Sequence, residues 1–272
     1  MQRSAFKRAA LMALAVAAAL PLVPAAAQAA AKTAVKAAPK TATVNMAPGT
    51  LDADAIMALD GMGAYLRSLG SFRLVSNASS EEVYANGQKL QFLQRTTYTM
   101  GGPSLLHVKI ETESQSREVF YNGKTFTLVA PRADKYLQLP ATGTVGKMLT
   151  RAYDDWGVDF PVQDLFRWGV PTATAERPKE GFKVGSARIG DAMTDHYAFR
   201  QTGVDWQIWI DQGDKPLPRK MVITNLEDPA QPQYVTYFGW DLAPVIAAGA
   251  FDFAPAKTDT RIDLSQFAAA KK

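Results

Sequence analysis

The spacing of apolar residues changes period along the chain. From Asp52, Ile56, Leu59, Met62, Leu66 and Leu69 recur at helical intervals, with Thr50 or Asp52 as the N-cap and Gly70 as the stop. Between residues 71 and 139 the period is two, with Phe72/Leu74, Leu90/Phe92, Leu106/Val108/Ile110 and Phe126/Leu128 alternating with polar neighbours. Asn86-Gly87 and Asn122-Gly123 fall between such runs and predict two-residue hairpin turns; Gly101-Gly102-Pro103 and residues 131–134 supply two more. Five or six sequential strands follow as a meander. Over 144–156 the helical period returns, with Val145, Met148, Leu149, Ala152 and Trp156 on one face and Gly157 at the end. Pro161 then opens a short helix holding Leu165 and Phe166 and closed by Gly169, and 170–180 reads as a loop. Strands resume over 182–189, 194–201, 205–211, 218–224 and 233–240.

Hairpins on both sides of a helical insert predict one continuous antiparallel sheet in one domain, 51–265. The expected fold is α+β, mainly antiparallel β: an open sheet of about 10–11 strands must curl, giving an incomplete barrel with an N-terminal helix and the insert as a lid. Gly61 and Gly63 weaken the first helix by roughly 1 kcal/mol each, which predicts close packing against a neighbour. As a Gly-x-Gly pair they lack the third glycine and the preceding strand of a dinucleotide fingerprint.

The last strands carry apolar groups on both faces. Trp206, Ile208 and Ile210 oppose Trp209, while Tyr234, Phe238 and Trp240 oppose Val235 and Tyr237. A sheet with one wet face has no need of this, so helices, a ligand or a partner must cover the second face. Trp206, Ile208, Trp209, Tyr234, Tyr237 and Trp240, with Phe72 and Phe92, are the candidate lining of an apolar site; the same cluster also reads as sheet core. Arg219 and Lys220 are candidate contacts to an anionic headgroup, or edge charges that prevent aggregation.

Charge changes the picture of the N-terminus. The chain has 272 residues, 30 Lys+Arg, 26 Asp+Glu, a net charge of +4 and no cysteine. The first 50 residues hold six positives and no negative, so the remainder is at −2 and the basicity is terminal. Arg3, Lys7 and Arg8, the apolar run 9–20 and Ala27-Gln28-Ala29 follow the order of a cleavable signal peptide, with the cut expected after Ala29. The run is shorter than the roughly 20 residues that span a bilayer, so a periplasmic, not a membrane-spanning, protein is expected. Residues 30–50, rich in Ala, Lys, Thr and Pro, read as a flexible leader, and 266–272 as a disordered tail. Lacking cysteine, the chain has no disulfide, zinc-thiolate site, cysteine nucleophile or acylated cysteine.

Sites for covalent chemistry are sparse. His107 and His196 stand in separate strands without a second histidine at metal-ligand spacing, so no metal and no cofactor is expected. Ser186 lies in Gly185-Ser186-Ala187-Arg188, not a nucleophile elbow, and reads as a turn or strand start. Asp154, Asp155 and Asp159 surround Trp156 and Gly157; they suit capping roles, or an acid/base pair in a hydrolase of envelope polymer. Asp211-Gln212-Gly213-Asp214 reads as a hairpin turn, and no phosphate loop or nucleic-acid platform is present.

The runs 204–210, 216–224 and 232–234, together with Gly87-Gln88-Lys89-Leu90-Gln91-Phe92, Tyr121-Asn122-Gly123-Lys124 and Ala198-Phe199-Arg200-Gln201, form a distinctive set. With them the chain resembles a bacterial family of predicted periplasmic proteins known as domain of unknown function 2092, from about 52 to 262. The family often has two histidines before the Ala-Phe-Arg-Gln run; here Asp195-His196 stands there. The order helix, meander, helices, meander also resembles the Lol-system periplasmic lipoprotein carriers, whose curled incomplete barrel implies an apolar cavity under a helical lid. The expected function is a soluble, monomeric periplasmic carrier of a lipid, lipoprotein acyl chain or other apolar ligand, held by burial and without catalysis. The alternative is an interaction module for an envelope protein.

Overall fold

The computed structural model describes residues 50–158, 160, 165 and 177–263. Helix α1 (Ala53–Ser68) begins where the Asp52 carboxylate accepts the Asp54 N–H at 2.9 Å, one of the donors a helix N-terminus leaves unpaired. It buries Ala55, Leu59, Met62, Gly63 and Leu66. Helix α2 (Val145–Trp156) is capped by the Thr144 hydroxyl and ended by Gly157 in the left-handed region at φ 67°. Both helices stand where the apolar period places them. Gly61 departs from expectation: it is exposed with open space around it, so it marks no close packing.

The first meander comprises β1 (Ser71–Val83), β2 (Lys89–Gly101), β3 (Leu106–Thr112), β4 (Ser116–Tyr121), β5 (Thr125–Ala130) and β6 (Lys135–Pro140). The second comprises β7 (Glu180–Ile189), β8 (Ala192–Gln201), β9 (Val204–Asp211), β10 (Pro218–Asn225) and β11 (Gln233–Asp241), and β12 (Thr260–Arg261) follows. They form one open, curved, 12-stranded sheet in the order β12-β6-β5-β4-β3-β2-β1-β11-β10-β9-β8-β7. The expected incomplete barrel is therefore present, with one strand beyond the 10–11 that alternation marks. That strand, β12, is two residues long and pairs parallel to β6, too short for any periodicity to reveal.

The meanders meet where β1 pairs antiparallel with β11, from Arg73 opposite Asp241 to Ser80 opposite Tyr234. Two turns are wider than the Asn-Gly pairs predict. Val83 pairs with Lys89, leaving 84–88 as a loop in which the Tyr84 N–H donates to the Gln88 carbonyl at 2.9 Å. At the other, the Asn122 side chain accepts from the Lys124 and Thr125 N–H groups, an Asx turn that settles the reversal. Ser186 lies inside β7, opposite Asp195, not at a turn or strand start.

Register divides the sheet into two faces. The inner face packs with both helices: Phe72, Leu74, Tyr98, Val108, Val119, Tyr121, Phe126, Tyr197, Phe199, Trp206, Ile208 and Met221 join Leu59, Met62, Leu66, Met148, Phe160 and Leu165 in one core. The outer face of β3–β6 is crossed by the chain after β11. There Phe253 meets the Phe120 and Tyr136 rings at 5.6 and 5.1 Å, and Asn122 donates to Asp252 at 2.8 Å. Phe251, 9% exposed, lies over Gly101. At the far edge, α1 is tied to β7: the Gly181 carbonyl accepts from Asp52 and its N–H donates to Thr50. Also on β7, a register shift falls between Lys183 and Gly185.

A Cβ on Gly101 would sit 2.5 Å from two Phe251 ring carbons. Gly101→Ala is expected to cost about 1–3 kcal/mol by overpacking. Combined with Phe251→Ala, which removes the obstructing ring, it is expected to cost clearly less than the two single losses added, as read from urea midpoints.

Candidate functional site

Cross-strand pairing gathers part of the predicted lining into one row. Phe199, Trp206, Ile223, Tyr234, Ser80 and Phe92 stand opposite one another from β8 to β2 on the inner face. Ile208 lies in the next row, with Tyr197, Met221, Thr236, Ala78 and Gln94. Phe72 and Trp240 share this face but lie toward its other end, their rings 5.5 Å apart. Trp206 is 1% exposed, stacks on Phe199 at 4.4 Å and donates its indole N–H to the side-chain Oε1 of Gln201 at 3.0 Å. The Trp240 indole donates to the Pro218 carbonyl, so its polar edge is also satisfied.

Trp209 and Tyr237 belong to the opposite surface and share no site with the others. There His196, Trp209, Lys220, Tyr237, Asn77 and Arg95 form an outer row from β8 to β2. The His196 and Trp209 rings lie nearly parallel at 4.0 Å, and the Lys220 ammonium sits 4.7 Å from the Trp209 ring and 5.1 Å from that of Tyr237. This cation over two aromatic faces explains why Trp209 is only 9% exposed on the outside of a sheet. Arg219 forks onto Asp211, its Nε 2.8 Å from Oδ1. Both predicted headgroup cations thus have aromatic or carboxylate partners, away from the inner row.

The inner face has a feature that apolar periodicity passes over. Its central rows carry Ser76, Thr96 and Thr236, exposed by 1%, 0% and 0%. The Ser76 and Thr236 hydroxyls bond each other at 2.7 Å, and Gln94 donates to the Thr96 hydroxyl at 3.1 Å. Tyr234, 4% exposed, sets its hydroxyl beside those of Ser76 and Thr236, in poor geometry for a full hydrogen bond. Burial pushes this phenol up to about 12, with the nearby Ser76 and Thr236 hydroxyls opposing the rise. The signal was present in the chain: Ser76 falls between Leu74 and Ala78, and Thr236 between Tyr234 and Phe238, at inward positions of otherwise apolar strands.

Beyond these buried hydroxyls the cover of the inner face thins. Leu90 and Phe92 near the β1–β2 turn, and Ile110 and Leu128 in β3 and β5, are half-buried inner-face residues. The helices cover the two flanks: α1 lies against β7, while Trp156 of α2 meets Phe126 at 5.0 Å. The turn before α2 is held by the Tyr121 hydroxyl, which donates to the Gly143 carbonyl at 2.7 Å.

Other titratable residues serve structure. His107 stacks on Phe120 and bonds Glu118 at 3.2 Å. Asp155 pairs with Arg151 on exposed helix surface, Asp154 is exposed, and Asp159 lies outside the described residues. Ser186 donates to Asp195, whose other oxygen holds Lys183 at 2.7 Å. No group of histidine and carboxylate side chains suited to a metal ion occurs among the described residues.

Desolvation holds the His196 imidazole below its ordinary value; Lys220 adds to this, and the Gln207 hydrogen bond opposes it. The unfolded chain takes up a proton below about pH 6.5 that the native imidazole resists, so stability falls as the pH drops from 7 through 6. The hydrogen bond from His107 lowers the Glu118 carboxyl, which extends the loss to lower pH as that carboxylate is protonated. Urea midpoints measured between pH 7 and 5.5 are expected to slope downward, and His196→Gln to flatten that slope.

Among solved structures, the chain is similar to LprF from Mycobacterium bovis, at 14% identity and a TM-score of 0.42, over 75% of this chain and 100% of that one. It is similar to the lipoprotein LppX from Mycobacterium tuberculosis at 10% identity and a TM-score of 0.38, over 72% and 98%. A LolA superfamily protein from Nitrosomonas europaea, NE2245, matches at 10% identity and a TM-score of 0.32, over 73% and 97%. No curated protein matches in sequence. No described helix is long and apolar enough to cross a membrane. Residues 55–265 match the model of the predicted periplasmic protein family DUF2092, and the chain belongs to that family.

Proposed function

We propose that this periplasmic protein binds or carries an apolar ligand, a lipid or the acyl chain of a lipoprotein, between its curved sheet and its helices, without covalent chemistry. The observation that supports this reading is that Leu90, Phe92, Ile110 and Leu128 of the inner face are only half-buried, Phe92 lying in the same row as the buried Trp206, Ile223 and Tyr234. Apolar side chains left partly in water beside a core gain free energy when an alkyl chain covers them, at about 0.8 kcal/mol for each methylene buried. An open sheet suits this: its two flanks are bridged by helices packed through side chains, not by a closed ring of backbone hydrogen bonds.

Protein purified from periplasm is expected to release a lipid on organic extraction and to show the matching mass in native mass spectrometry. In displacement of the apolar fluorophore 1-N-phenylnaphthylamine, methyl esters of lengthening fatty acids are expected to bind about fourfold tighter per methylene until the site is full. Phe92→Asp is expected to weaken binding roughly tenfold or more at an unchanged circular dichroism spectrum. Protein that carries no lipid and displaces no fluorophore overturns the reading.

Tyr237, 47% exposed beside Lys220 on the outer face, favours a second reading, an envelope protein seated there. A stoichiometric periplasmic partner lost on Tyr237→Ala, with fluorophore binding intact, would select it.

A further inference from the structure

Along β1–β6 the inner face is built from apolar and small polar side chains, and its charged positions are Glu82, Arg117 and Lys135. Arg117 stands opposite Ile110, and Lys135 stands opposite Ala130. Because Glu118 pairs with Val129, Ala130 is the β5 residue between the two cations, which lie two strand spacings apart, about 10 Å at the backbone. The row runs from the buried Phe238, Ser76 and Thr96 through the half-buried Ile110 to the exposed Arg117 and Lys135. Leu128, also half-buried, is the next inward position along β5 from Ala130.

Neither cation has a carboxylate partner among the described residues. Arg117 donates to the neutral side-chain oxygen of Gln115 at 2.8 Å, which uses one of its five N–H groups. The carboxylates of this region are engaged elsewhere: Glu111 and Glu118 lie on the outer face against Lys109 and His107, and Glu113 accepts the Leu93 N–H. Glu82 shares the inner face but lies six residues beyond Ser76 on β1, roughly 20 Å from the Arg117 row. Edge protection accounts for a lysine on β6, next to the end of the sheet. It does not account for Arg117, because β4 is paired on both sides, with β3 and with β5.

Two cations at the margin of half-buried apolar side chains match a ligand that is apolar along its length and anionic at one end. A neutral lipid leaves both charges unanswered, and a cationic amphiphile is repelled by them. We propose that Arg117 and Lys135 form a subsite for the anionic head, carboxylate or phosphate, of an acyl amphiphile whose chain covers Ile110 and Leu128. This rests on the apolar-ligand reading above and adds the sign of the ligand's charge and the place on the sheet where its head lies. The planar Arg117 guanidinium takes two oxygens of the head, and the Lys135 ammonium adds a second charge at the rim.

The test displaces 1-N-phenylnaphthylamine from the full-length protein and from Arg117→Gln/Lys135→Gln with laurate, methyl laurate, dodecyl phosphate and dodecyltrimethylammonium, at neutral pH and below their micelle-forming concentrations. Both substituted side chains are exposed, so the urea midpoint is expected to stay in place. The affinity ratio of laurate to methyl laurate is expected to be about fivefold lower in the double variant at low salt, the discrimination that exposed ion pairs supply, with methyl laurate binding unchanged. In the unmodified protein the same ratio is expected to fall in about 0.5 M sodium chloride, and Arg117→Lys is expected to keep most of it. Whichever of laurate and dodecyl phosphate loses more in the double variant identifies the head as carboxylate or phosphate, and either loss supports the subsite. A ratio that is the same in both proteins, or dodecyltrimethylammonium binding as tightly as laurate, overturns the subsite and leaves the apolar site standing. If none of the four displaces the fluorophore, the apolar-ligand reading fails and the subsite falls with it.

Discussion

The ladder between β1 and β11 is the constraint on which the rest of the structure depends. Each meander is held by local hairpins and would stand alone as a sheet with two raw edges. The pairing of residues 73–80 with 234–241 turns two edges into the middle of one sheet. It also sets which residues become neighbours. Because the period is two, a slip of one residue would place Tyr237 and Val235 inside and send Tyr234, Thr236, Phe238 and Trp240 to the surface. The Ser76–Thr236 bond lies across this seam, diagonal to its paired residues, so a hydrogen bond between side chains reinforces the register that backbone bonds alone would leave free to shift.

Helices and strands were legible because their signals are local. Thr144, Gly157 and Asp52 occupy the caps where their chemistry places them, and alternation in 204–210 sorts Trp206 and Ile208 from Trp209 without any knowledge of the fold. Long-range features were not legible. Nothing in Phe251 or Phe253 says that an irregular segment crosses the sheet, since irregular backbone has no period. Asn86-Gly87 marks a reversal correctly, but loop length depends on where Tyr84 and Gln88 pair. For the site, the sequence identifies the aromatic cluster and cannot say which face holds the helices; Tyr237 and Tyr234 look alike until α1 and α2 cover one of them.

The inner face mixes two kinds of surface for different physical reasons. Trp206, Ile208, Ile223 and Met221 are close to fully buried and form an ordinary dry core. Three small hydroxylated residues interrupt it at the seam, where valine or alanine would pack as well and cost nothing in lost hydration. Their partners are mostly one another, Ser76 with Thr236 and Gln94 with Thr96. Such a network is tolerable only when nearly complete, and the Tyr234 hydroxyl, set beside Ser76 and Thr236 in poor geometry, is its weakest member.

An open sheet has two ends, and this one treats them differently. At β7 the register shift between Lys183 and Gly185 bends the strand, Lys183 and Arg188 are exposed along it, and Thr50 and Asp52 occupy the hydrogen-bonding groups of Gly181. At the other end, β12 takes up part of β6 with a short parallel pairing, and Arg261 donates to the Gln138 carbonyl beyond it. Each device denies a neighbouring molecule the flat run of free backbone that edge-to-edge joining requires. A sheet that never closes into a barrel thereby offers little flat, free backbone at either described edge, and what closure would have hidden is hidden instead by a bend, a few charges and borrowed residues.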